Sequence, residues 1–417
     1  MTAIQDYAAV AGEDVINHLR QLAAPLQGLK VVHVNSTRLG GGVAEILVKL
    51  VPLTKELGLD ATWEVIRGGE RFYECTKNFH NGLQGKQVPM GDALVQVFES
   101  TNAENAEELR RILEEADIVF IHDPQPLPLL KACPNRKGKW IWRCHIDLSH
   151  PFRPVWKYLR RFVVDYDASV FSLSDFAQPL PHTLYLIPPS IDPLSEKNMD
   201  LPESDVTGIR TKFNVDPDRP MMLQVSRFDR FKDPVGVIRA YRLAKTFAPS
   251  LQLVLAGGEA TDDPEGDAVL SEVRAEADGD QDAHILMLPP DAHLTINALQ
   301  RSADIVVQKS IKEGFGLTVT EAMWKGKAVI GGNTGGIRLQ VVNHHTGFLV
   351  NTPEGAALRI RHLLQRPERA HEMGLKAKEL VREDFLITRH VKEYLSLIVA
   401  LIYGDEERVE LEMKPRG

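Results

Sequence analysis

The chain has 417 residues, of which 43% are hydrophobic and 25% are charged, and its formal net charge is −8. This length predicts two domains of ordinary size, each able to bury its own core, in a globular protein. The negative net charge argues against nucleic acid as the main partner, and because the sequence has no apolar run of about 18 residues we expect no membrane span.

The three cysteines, Cys75, Cys133 and Cys144, show no spacing typical of a zinc site or a disulfide framework. The N-terminal residues carry acids early and no long apolar segment, which argues against a signal peptide. We therefore expect a cytoplasmic protein without a metal site.

Strands and helices alternate through the first half of the chain. The predicted strands are LKVVHVN, ATWEVI, ADIVFIHDP, KWIWRCHIDLS, ASVFSLS and TLYLIP. Helices are predicted from Val15 to Ala24, from Val43 to about Leu57, from Ala103 to Glu115 and around Trp156 to Val164. Residues 68–99 are less regular and predict a loop with a helix, and the Pro- and Ser-rich stretch from Pro188 to Asn198 is the best linker candidate.

A second series of strands and helices follows this linker. Its predicted strands are PMMLQV, LQLVLAGG, HILMLPP, DIVVQKS, AVIGG and GFLV, with helices near 234–247, 266–277, 291–302, 317–326 and 354–365. The tail from about Pro367 to Tyr403 predicts two or three amphipathic helices. Because strand–helix alternation implies parallel sheets with right-handed crossovers, the expected fold is α/β, with two Rossmann-like, doubly wound domains facing a cleft. The expected domains are residues 1–195 and 196–384, with helices of about 385–417 crossing back onto the first domain.

The stretch from Glu313 to Gly336, EGFGLTVTEAMWKGKAVIGGNTGG, carries the strongest functional signal. Gly314 and Gly316 lie where a buried strand turns into a helix, which is where an open α/β sheet binds ligands and where a helix N-terminus favours an anion. Glu313 and Glu321 flank this turn, and carboxylates bind sugar hydroxyls well because each accepts from two donors. The alternative is a helix capped by Glu313 with Glu321 solvated on its surface.

The segment SRFDRFKD follows the first strand of the second half. Arg227 and Lys232 lie just beyond that strand, and both residue types bind phosphate. A leaving diphosphate needs its growing negative charge neutralised in the transition state. The alternative is a solvated loop of charges, since Asp229 and Arg230 are also present.

Polar and glycine-rich segments also end the strands of the first half. The loop STRLGGG contains Gly40, Gly41 and Gly42, but Glu45 occupies the last position of a G-x-G-x-x-G motif, so we reject a nicotinamide fingerprint. His122–Asp123 and His145 with Asp147 end two further strands and predict a sugar site. The alternative for a single histidine is a structural role inside the core.

These residues together resemble the retaining glycosyltransferases of family four, which have the B-type glycosyltransferase fold. The family signature is a Glu, seven residues and a Glu, here Glu313 and Glu321, with Arg227 and Lys232 after the first strand of the second domain. Longer blocks between about residues 30 and 350 resemble the trehalose-forming glycosyltransferring synthases of that family: HVNSTRLGGGVAEIL, IHDPQP, WRCHIDLS, PPSIDPLSEKN, QVSRFD, DDPEG and EGFGLTVTEAMWKGK. One departure is Asp233, because the wider family usually has Gly after the Lys.

The resemblance implies transfer of glucose from ADP-, UDP- or GDP-glucose to the anomeric hydroxyl of D-glucose, which forms trehalose in a reversible reaction. It implies that the second domain binds the donor and that His145, Arg227, Lys232 and Glu313 are catalytic. Glu313 would bind donor hydroxyls, Glu321 the ribose, and Arg227 and Lys232 the diphosphate. The remaining implied donor-binding residues are Gly314, Phe315, Gly316, Leu317 and Thr318.

The resemblance also implies that the first domain binds the acceptor. His145 would contact the transferred sugar near its anomeric centre, and the other implied acceptor-binding residues are Gly40, Gly41, Gly42, Asp123 and Asp147. The implied partners are a nucleotide-sugar and glucose, with no nucleic acid and no membrane, and a homodimer is compatible with the family. No tightly bound cofactor is expected besides the nucleoside-diphosphate glucose as co-substrate, and Mg²⁺ would at most stimulate the reaction without a structural role.

Three alternative functions stay open. Another family-four enzyme could use a different acceptor such as glucose-6-phosphate, although Arg38 is the only basic residue in STRLGGG. A metal-dependent, single-domain glycosyltransferase would use an Asp-x-Asp motif, for which the candidates are Asp165/Asp167, Asp216/Asp218 and Asp278/Asp280. A non-catalytic sensor of sugar nucleotides would need the donor residues but no acceptor pocket.

Overall fold

The computed structural model describes residues 3–38, 41–258 and 264–404. The chain divides into two compact units, each with its own hydrophobic core. Unit 1 comprises Met1–Pro189 with Ile387–Gly417, and unit 2 comprises Ser190–Leu386.

Unit 1 is built on a parallel sheet. Its strands are β1 (Lys30–Asn35), β2 (Asp60–Val65), β3 (Ile118–His122), β4 (Lys139–Arg143), β5 (Ala168–Phe171) and β6 (Thr183–Leu186). Its first helices are α1 (Ala8–Ala11), α2 (Glu13–Ala23), α3 (Gly41–Glu56), α4 (Glu70–Leu83), α5 (Asp92–Glu115), α6 (Leu129–Ala132) and α7 (Arg153–Val163), with short 3₁₀ helices at Ile4–Tyr7, Ala24–Leu26 and Ser174–Phe176. The strand order is β2-β1-β3-β4-β5-β6.

Unit 2 repeats this arrangement with a second parallel sheet. Its strands are β7 (Met221–Val225), β8 (Gln252–Gly258), β9 (Ala283–Leu288), β10 (Ile305–Gln308), β11 (Val329–Gly332) and β12 (Gly347–Val350). Its helices are α8 (Glu203–Lys212), α9 (Pro234–Lys245), α10 (Pro264–Ala277), α11 (His293–Ser302), α12 (Leu317–Trp324), α13 (Ile337–Gln340), α14 (Pro353–Leu364) and α15 (Pro367–Asp384), with a 3₁₀ helix at Arg230–Lys232. The strand order is β12-β11-β10-β7-β8-β9.

The central strands of both sheets are buried along almost their whole length because helices cover both faces of a parallel sheet. Every residue of β3, β7 and β10 is buried. In each sheet the order of the strands reverses once, which makes both sheets doubly wound. The predicted α/β class with two Rossmann-like sheets is therefore confirmed.

The last helix, α16 (Ile387–Tyr403), belongs to unit 1, where it packs against α2 and α3. Arg389 donates hydrogen bonds to the carbonyl oxygens of Pro188 and Pro189 at 2.9 and 2.8 Å, and the Tyr403 hydroxyl donates to the Pro25 carbonyl at 2.8 Å. The C-terminal helix thus crosses back to the first sheet, as predicted. None of the helices in the described residues is both long and apolar enough to cross a membrane.

Two element boundaries differ from the sequence prediction, and one helix was not predicted. Helix α5 begins at Asp92 rather than Ala103, because Phe98 and Asn102 continue its buried face. Helix α8 was not predicted, since Ile209 and Arg210 are its only buried residues and its apolar periodicity is weak. Strand β4 ends at Arg143, so the prediction that the strand continues to His145 and Asp147 is wrong.

The last residue of the predicted linker, Asn198, is held by hydrogen bonds within unit 2. Trp324 Nε1 donates to the Asn198 carbonyl at 3.2 Å, and Lys325 Nζ donates to Asn198 Oδ1 at 3.1 Å. The Arg301 guanidinium donates to the same Asn198 carbonyl at 3.2 Å. The end of this stretch is therefore a fixed part of unit 2 rather than a solvated connection.

Candidate active site

The strand order of unit 2 places two functional loops side by side. Strands β7 and β10 are neighbours, and the chain order reverses between them, so the loops that follow them leave the sheet at its topological switch point. In open α/β sheets ligands bind outside the carboxyl ends of the strands at this position. Lys232 follows β7, and Glu313 follows β10.

Lys232 and Glu313 form a largely buried ion pair across these two loops. Lys232 Nζ lies 2.6 Å from Glu313 Oε2, and the two side chains are 21% and 8% exposed. The Ser310 hydroxyl donates to the same oxygen at 3.2 Å. Within the described part of the chain no hydrogen bond reaches the other carboxylate oxygen, Glu313 Oε1, which therefore remains an open acceptor.

Backbone hydrogen bonds tie the two loops together. Ile311 N–H donates to the Phe231 carbonyl at 2.8 Å, and the buried Gln224 side chain in β7 donates to the Lys232 carbonyl at 2.9 Å. The main chain of the Lys232 loop is thus fixed both to β7 and to the loop that carries Glu313.

Glycine is required in the turn into α12 and in the loop before α13, which packs against that turn. Gly316 has φ +86°, in the left-handed region that side chains disfavour. Gly335 has φ +46°, and a Cβ there would lie 1.7 Å from the Glu313 carbonyl oxygen. Because the first N–H groups of a helix have no intrahelical partner, the amides of Leu317 and Thr318 are directed at this turn.

The other predicted donor residues are less uniform. The Phe315 ring is buried against Phe385, with ring centroids 5.7 Å apart, so the main chain is the part of Phe315 that can face a ligand. Glu321 is only 4% exposed. The Arg227 side chain is 68% exposed and faces Asp229 at 3.8 Å, so it is not part of the buried pair.

Glu321 lies beside a second buried cation, Lys325. Lys325 Nζ donates to the Glu321 carbonyl at 3.2 Å. Burial lowers the pKa of Lys325 to about 7, although the Glu321 charge opposes that shift. The two glutamates of the signature are therefore each associated with a lysine.

Asp233, where this chain departs from the family, sits in the left-handed region with φ +50°. Glycine is favoured in that conformation, which accounts for the residue usual in the family. The Asp233 carboxylate accepts from the Gly236 amide at 3.1 Å, which caps α9, and it pairs with the buried Lys309 ammonium. A cap and an ion pair thus compensate for the strained backbone at this position.

In unit 1 the polar strand ends converge in a row of three histidines. His33 lies in β1, His122 ends β3, and His145 follows β4. His33 Nδ1 lies 3.0 Å from His122 Nε2, and His122 Nδ1 lies 3.0 Å from His145 Nε2. Burial lowers the pKa of His122 and of His145 well below the usual value, so both rings are neutral at pH 7.

Asp123, which follows His122 in the chain, binds the main chain of His145. Its φ of +61° is a strained value for a residue other than glycine, and its Oδ1 accepts from the His145 amide at 2.8 Å. Burial raises the pKa of Asp123 to about 6, despite the opposing effects of that hydrogen bond and of the Arg143 charge. Asp147, by contrast, accepts from the Ser149 amide at 2.8 Å within a local turn.

The glycine loop is described in part. Gly40 lies outside the described residues, and Gly41 and Gly42 begin α3. The Arg38 guanidinium lies over the Trp63 ring at 4.9 Å and donates to the Trp63 carbonyl at 2.6 Å. The one basic side chain of this loop is therefore bound to the protein itself.

Two residues of the unit 1 site were missed by the sequence analysis. His33 interrupts the valines Val31, Val32 and Val34 of β1, and this interruption is the signal that could have identified it. Arg143 is fully buried in β4 and donates to the Ile187 carbonyl at 2.7 Å. Its charge lies near the histidines and lowers the pKa of His145 further.

The three Asp-x-Asp candidates lie at the opposite edges of the sheets. In each predicted pair, Asp165/Asp167, Asp216/Asp218 and Asp278/Asp280, both aspartates precede a strand rather than follow one. Asp167 Oδ2 accepts from the Trp140 amide at 2.8 Å, and Asp280 pairs with Lys245 at 2.9 Å. These carboxylates stabilise turns away from the carboxyl ends of the strands.

Parts of both units match models of known protein families. Residues 33–178 match the family model described as "Trehalose synthase, N-terminal domain", and residues 205–380 match "Glycosyl transferases group 1". The trehalose synthase of Pyrococcus horikoshii is 44% identical over 402 residues, which cover 95% of this chain and 96% of that protein. The trehalose synthase of Rubrobacter xylanophilus is 44% identical over 407 residues, covering 96% and 97%.

A solved structure is similar in fold at much lower identity. The UDP-forming α,α-trehalose-phosphate synthase from Burkholderia xenovorans, in complex with glucose-6-phosphate, has a TM-score of 0.71 at 14% identity, covering 89% of this chain and 100% of that chain. At this identity the likeness shows the B-type glycosyltransferase fold alone. With the 44% identity to named trehalose synthases, the conclusion is that this chain belongs to the trehalose synthase family of glycosyltransferases and is a transferase.

Proposed function

We propose that this enzyme transfers glucose, with retention of configuration, from a nucleoside-diphosphate glucose to the anomeric hydroxyl of D-glucose and so forms α,α-trehalose. The observation that carries the proposal is the Lys232–Glu313 pair, at 2.6 Å, beside the N-terminus of α12. It combines a cation for a diphosphate with a carboxylate for sugar hydroxyls, in a chain 44% identical to trehalose synthases.

In the proposed donor site Lys232 binds the diphosphate and Glu313 binds the sugar. An ammonium group has three N–H donors, and Lys232 uses one of them on Glu313, so two remain for phosphate oxygens. Glu313 Oε1 accepts from a sugar hydroxyl. The α12 amides of Leu317 and Thr318 add donors for the β-phosphate, the exposed Arg227 adds a second cation, and Glu321 takes the ribose.

In the proposed acceptor site the ring at the reacting end, His145, is neutral. His145 contacts the transferred sugar, and Asp123 holds the His145 main chain through its 2.8 Å hydrogen bond. Free glucose is uncharged, and short polar groups suffice to bind it. Because Arg38 is already bound to Trp63, the loop STRLGGG lacks a free cation for a 6-phosphate. This supports glucose over glucose-6-phosphate as acceptor.

The proposed reaction proceeds on one face of the donor sugar. The bond from C1 of the donor glucose to the diphosphate oxygen breaks, and the anomeric oxygen of the acceptor forms the new bond to C1 on the same face. The proton of that acceptor hydroxyl passes to the departing phosphate oxygen. Lys232 and the α12 amides stabilise the charge that develops on the diphosphate. Retaining glycosidases need a carboxylate nucleophile, whereas Glu313 is held by Lys232 and Ser310.

Product analysis tests this proposal. The protein is incubated with ADP-, UDP- or GDP-glucose and with either glucose or glucose-6-phosphate. Parallel reactions contain either excess chelator or added Mg²⁺, and the disaccharide is identified by NMR. We expect trehalose from free glucose, with both anomeric protons α, and activity that survives the chelator. A preference for glucose-6-phosphate, a linkage to another hydroxyl, or no turnover of any donor would overturn the proposal.

A further inference from the structure

The three histidines of unit 1 form a continuous row across three neighbouring strands. Both N···N separations, His33 to His122 and His122 to His145, are 3.0 Å. The ring centroids in both pairs are 5.3 Å apart, with interplanar angles of 29° and 18°. Such rings meet edge to edge and nearly in one plane, which is the geometry of N–H···N hydrogen bonds.

All three rings are neutral, and therefore the N–H···N hydrogen bonds of the row all run in one direction. Burial lowers the pKa of His33 to about 3 and lowers the pKa values of His122 and His145 well below the usual range. The positive charge of Arg143 opposes protonation of the last two rings, and His390 opposes it at His145. A neutral imidazole has one N–H and one acceptor nitrogen. Each ring must therefore donate in the same direction along the row.

The buried end of the row favours one direction. His33 is 1% exposed, with its ring stacked on Phe120 at 4.8 Å and near Tyr394 at 6.0 Å. In the part of the chain that the structure describes, His33 Nε2 has no hydrogen-bond partner. A buried N–H without an acceptor is rarer and less favourable than a bare acceptor nitrogen. The His33 proton therefore belongs on Nδ1, facing His122.

We propose that His33 and His122 are positioning residues that fix the tautomer of His145, so that His145 carries its proton on Nδ1. His33 Nδ1–H donates to His122 Nε2, and His122 Nδ1–H donates to His145 Nε2. His145 Nδ1, which bonds to no residue in the described ranges, then presents an N–H donor to a ligand.

The tautomer of His145 follows from the geometry of the three rings alone, whereas its role in sugar binding rests on the proposed function. If His145 contacts the transferred sugar, a fixed Nδ1–H donor meets a sugar oxygen without first having to change tautomer. The other ring nitrogen of a histidine sets its tautomer in this way in many sites. Free histidine in water prefers the opposite tautomer, with the proton on Nε2, so the predicted state is diagnostic.

The direct test is ¹⁵N NMR of the whole protein labelled at histidine, with the His145 signals assigned by comparison with His145→Gln. We expect ring nitrogens of His33, His122 and His145 protonated on Nδ1 and unprotonated on Nε2, unchanged between pH 6 and 8 because all three pKa values lie below that range. Protonation of His145 on Nε2, or a mixture of tautomers, would overturn the proposal. This measurement needs no activity, so it stands or falls apart from the proposed function.

Variants of His33 test the coupling along the row. His33→Leu removes the first donor and is expected to give His145 a mixture of tautomers and to lower kcat by about threefold to tenfold, with KM for the nucleotide-sugar unchanged. The amide N–H of Asn can replace the Nδ1–H of His33. His33→Asn is therefore expected to restore most of the Nδ1-protonated tautomer of His145 and most of the kcat. The matched control is His182→Leu, which removes another partly buried histidine of unit 1, bonded to Ser169 at 2.8 Å. An unchanged His145 tautomer in His33→Leu would contradict the coupling. If that variant does not fold, the tautomer of His145 in the wild-type spectrum still tests the proposal.

Discussion

The proposed sites of the two units occupy equivalent positions on similar sheets but are built from opposite kinds of group. In unit 2, Lys232 and Glu313 form an ion pair at 2.6 Å. In unit 1, His33, His122 and His145 form a neutral row joined by 3.0 Å contacts. Topology therefore decides where a site lies, and the side chains decide what it can bind. A charged pair suits a diphosphate, and a neutral row suits an uncharged sugar.

Burial has a different effect in the two places because of this contrast. In unit 2 the opposite charges of Lys232 and Glu313 pair at 2.6 Å, and their attraction offsets the cost of burying them. In unit 1 both burial and the nearby Arg143 charge lower the pKa values of His122 and His145. The comparison makes four predictions, from the largest expected effect to the smallest.

Removing either member of the unit 2 pair is expected to have the largest effect on activity. Lys232→Ala and Glu313→Gln each remove a charge-assisted hydrogen bond worth about 1.5–3 kcal/mol, so kcat/KM should fall by about tenfold to a hundredfold. The measurement is initial-rate kinetics with the nucleotide-sugar varied. Lys245→Ala is the matched control, since Lys245 is also a partly buried paired lysine of unit 2 but bonds to Asp280 and Asp282. Near-wild-type kinetics for both site variants would remove the donor assignment.

Breaking the second ion pair of unit 2 is expected to lower stability. Asp233→Ala leaves the buried Lys309 unpaired and removes the cap of α9, which should cost about 2–4 kcal/mol and lower the Tm by several degrees. The double variant Asp233→Gly with Lys309→Met should recover much of the loss, because it relieves the φ of +50° and removes the unpaired charge. Calorimetry on both variants checks this. Equal Tm values for wild type and Asp233→Ala would contradict the compensation inferred for Asp233.

The raised pKa of Asp123 predicts a pH-dependent stability in unit 1. The folded-state pKa of about 6 is above the unfolded value of about 3.9, so the folded protein holds an extra proton between these pH values and loses stability as pH rises through them. Asp123→Asn keeps an acceptor for the His145 amide and tolerates positive φ. It should therefore raise the free energy of unfolding at pH 7.5 by about 1–2 kcal/mol and the Tm by a few degrees, and it should raise neither by much at pH 4. A variant less stable than wild type at pH 7.5 would contradict the cost of the buried charge.

Arg227→Ala is expected to have the smallest effect on activity. The side chain is 68% exposed and lies 3.8 Å from Asp229, so solvent and salt screen its charge more than that of Lys232. We expect kcat/KM to fall by about threefold to tenfold at low salt and less at high salt. A loss equal to that of Lys232→Ala at every salt concentration would show that the exposed cation is as important as the buried one.

The sequence was sufficient to predict most of the fold because the central strands are apolar runs bounded by glycine or polar residues. It did not predict α8, whose buried residues are only Ile209 and Arg210. Lys232 and Glu313 were both predicted as donor residues, but their contact was not, since they are 81 residues apart and meet only through the order of β7 and β10. The row of histidines was missed for the same reason: the alignment of β1, β3 and β4 creates it, and His33 alone resembles a core residue.

The response of the two substrates to salt tests most directly the claim that one site is charged and the other neutral. Initial rates at low and high NaCl give the KM for the nucleotide-sugar and the KM for glucose in the same buffers. We predict that the KM for the nucleotide-sugar rises with salt, because screening weakens the attraction of Lys232 and Arg227 for the diphosphate, while the KM for glucose stays constant. A KM for glucose that rises with salt as steeply as the KM for the nucleotide-sugar would contradict this account. A KM for the nucleotide-sugar that does not change with salt would contradict it too.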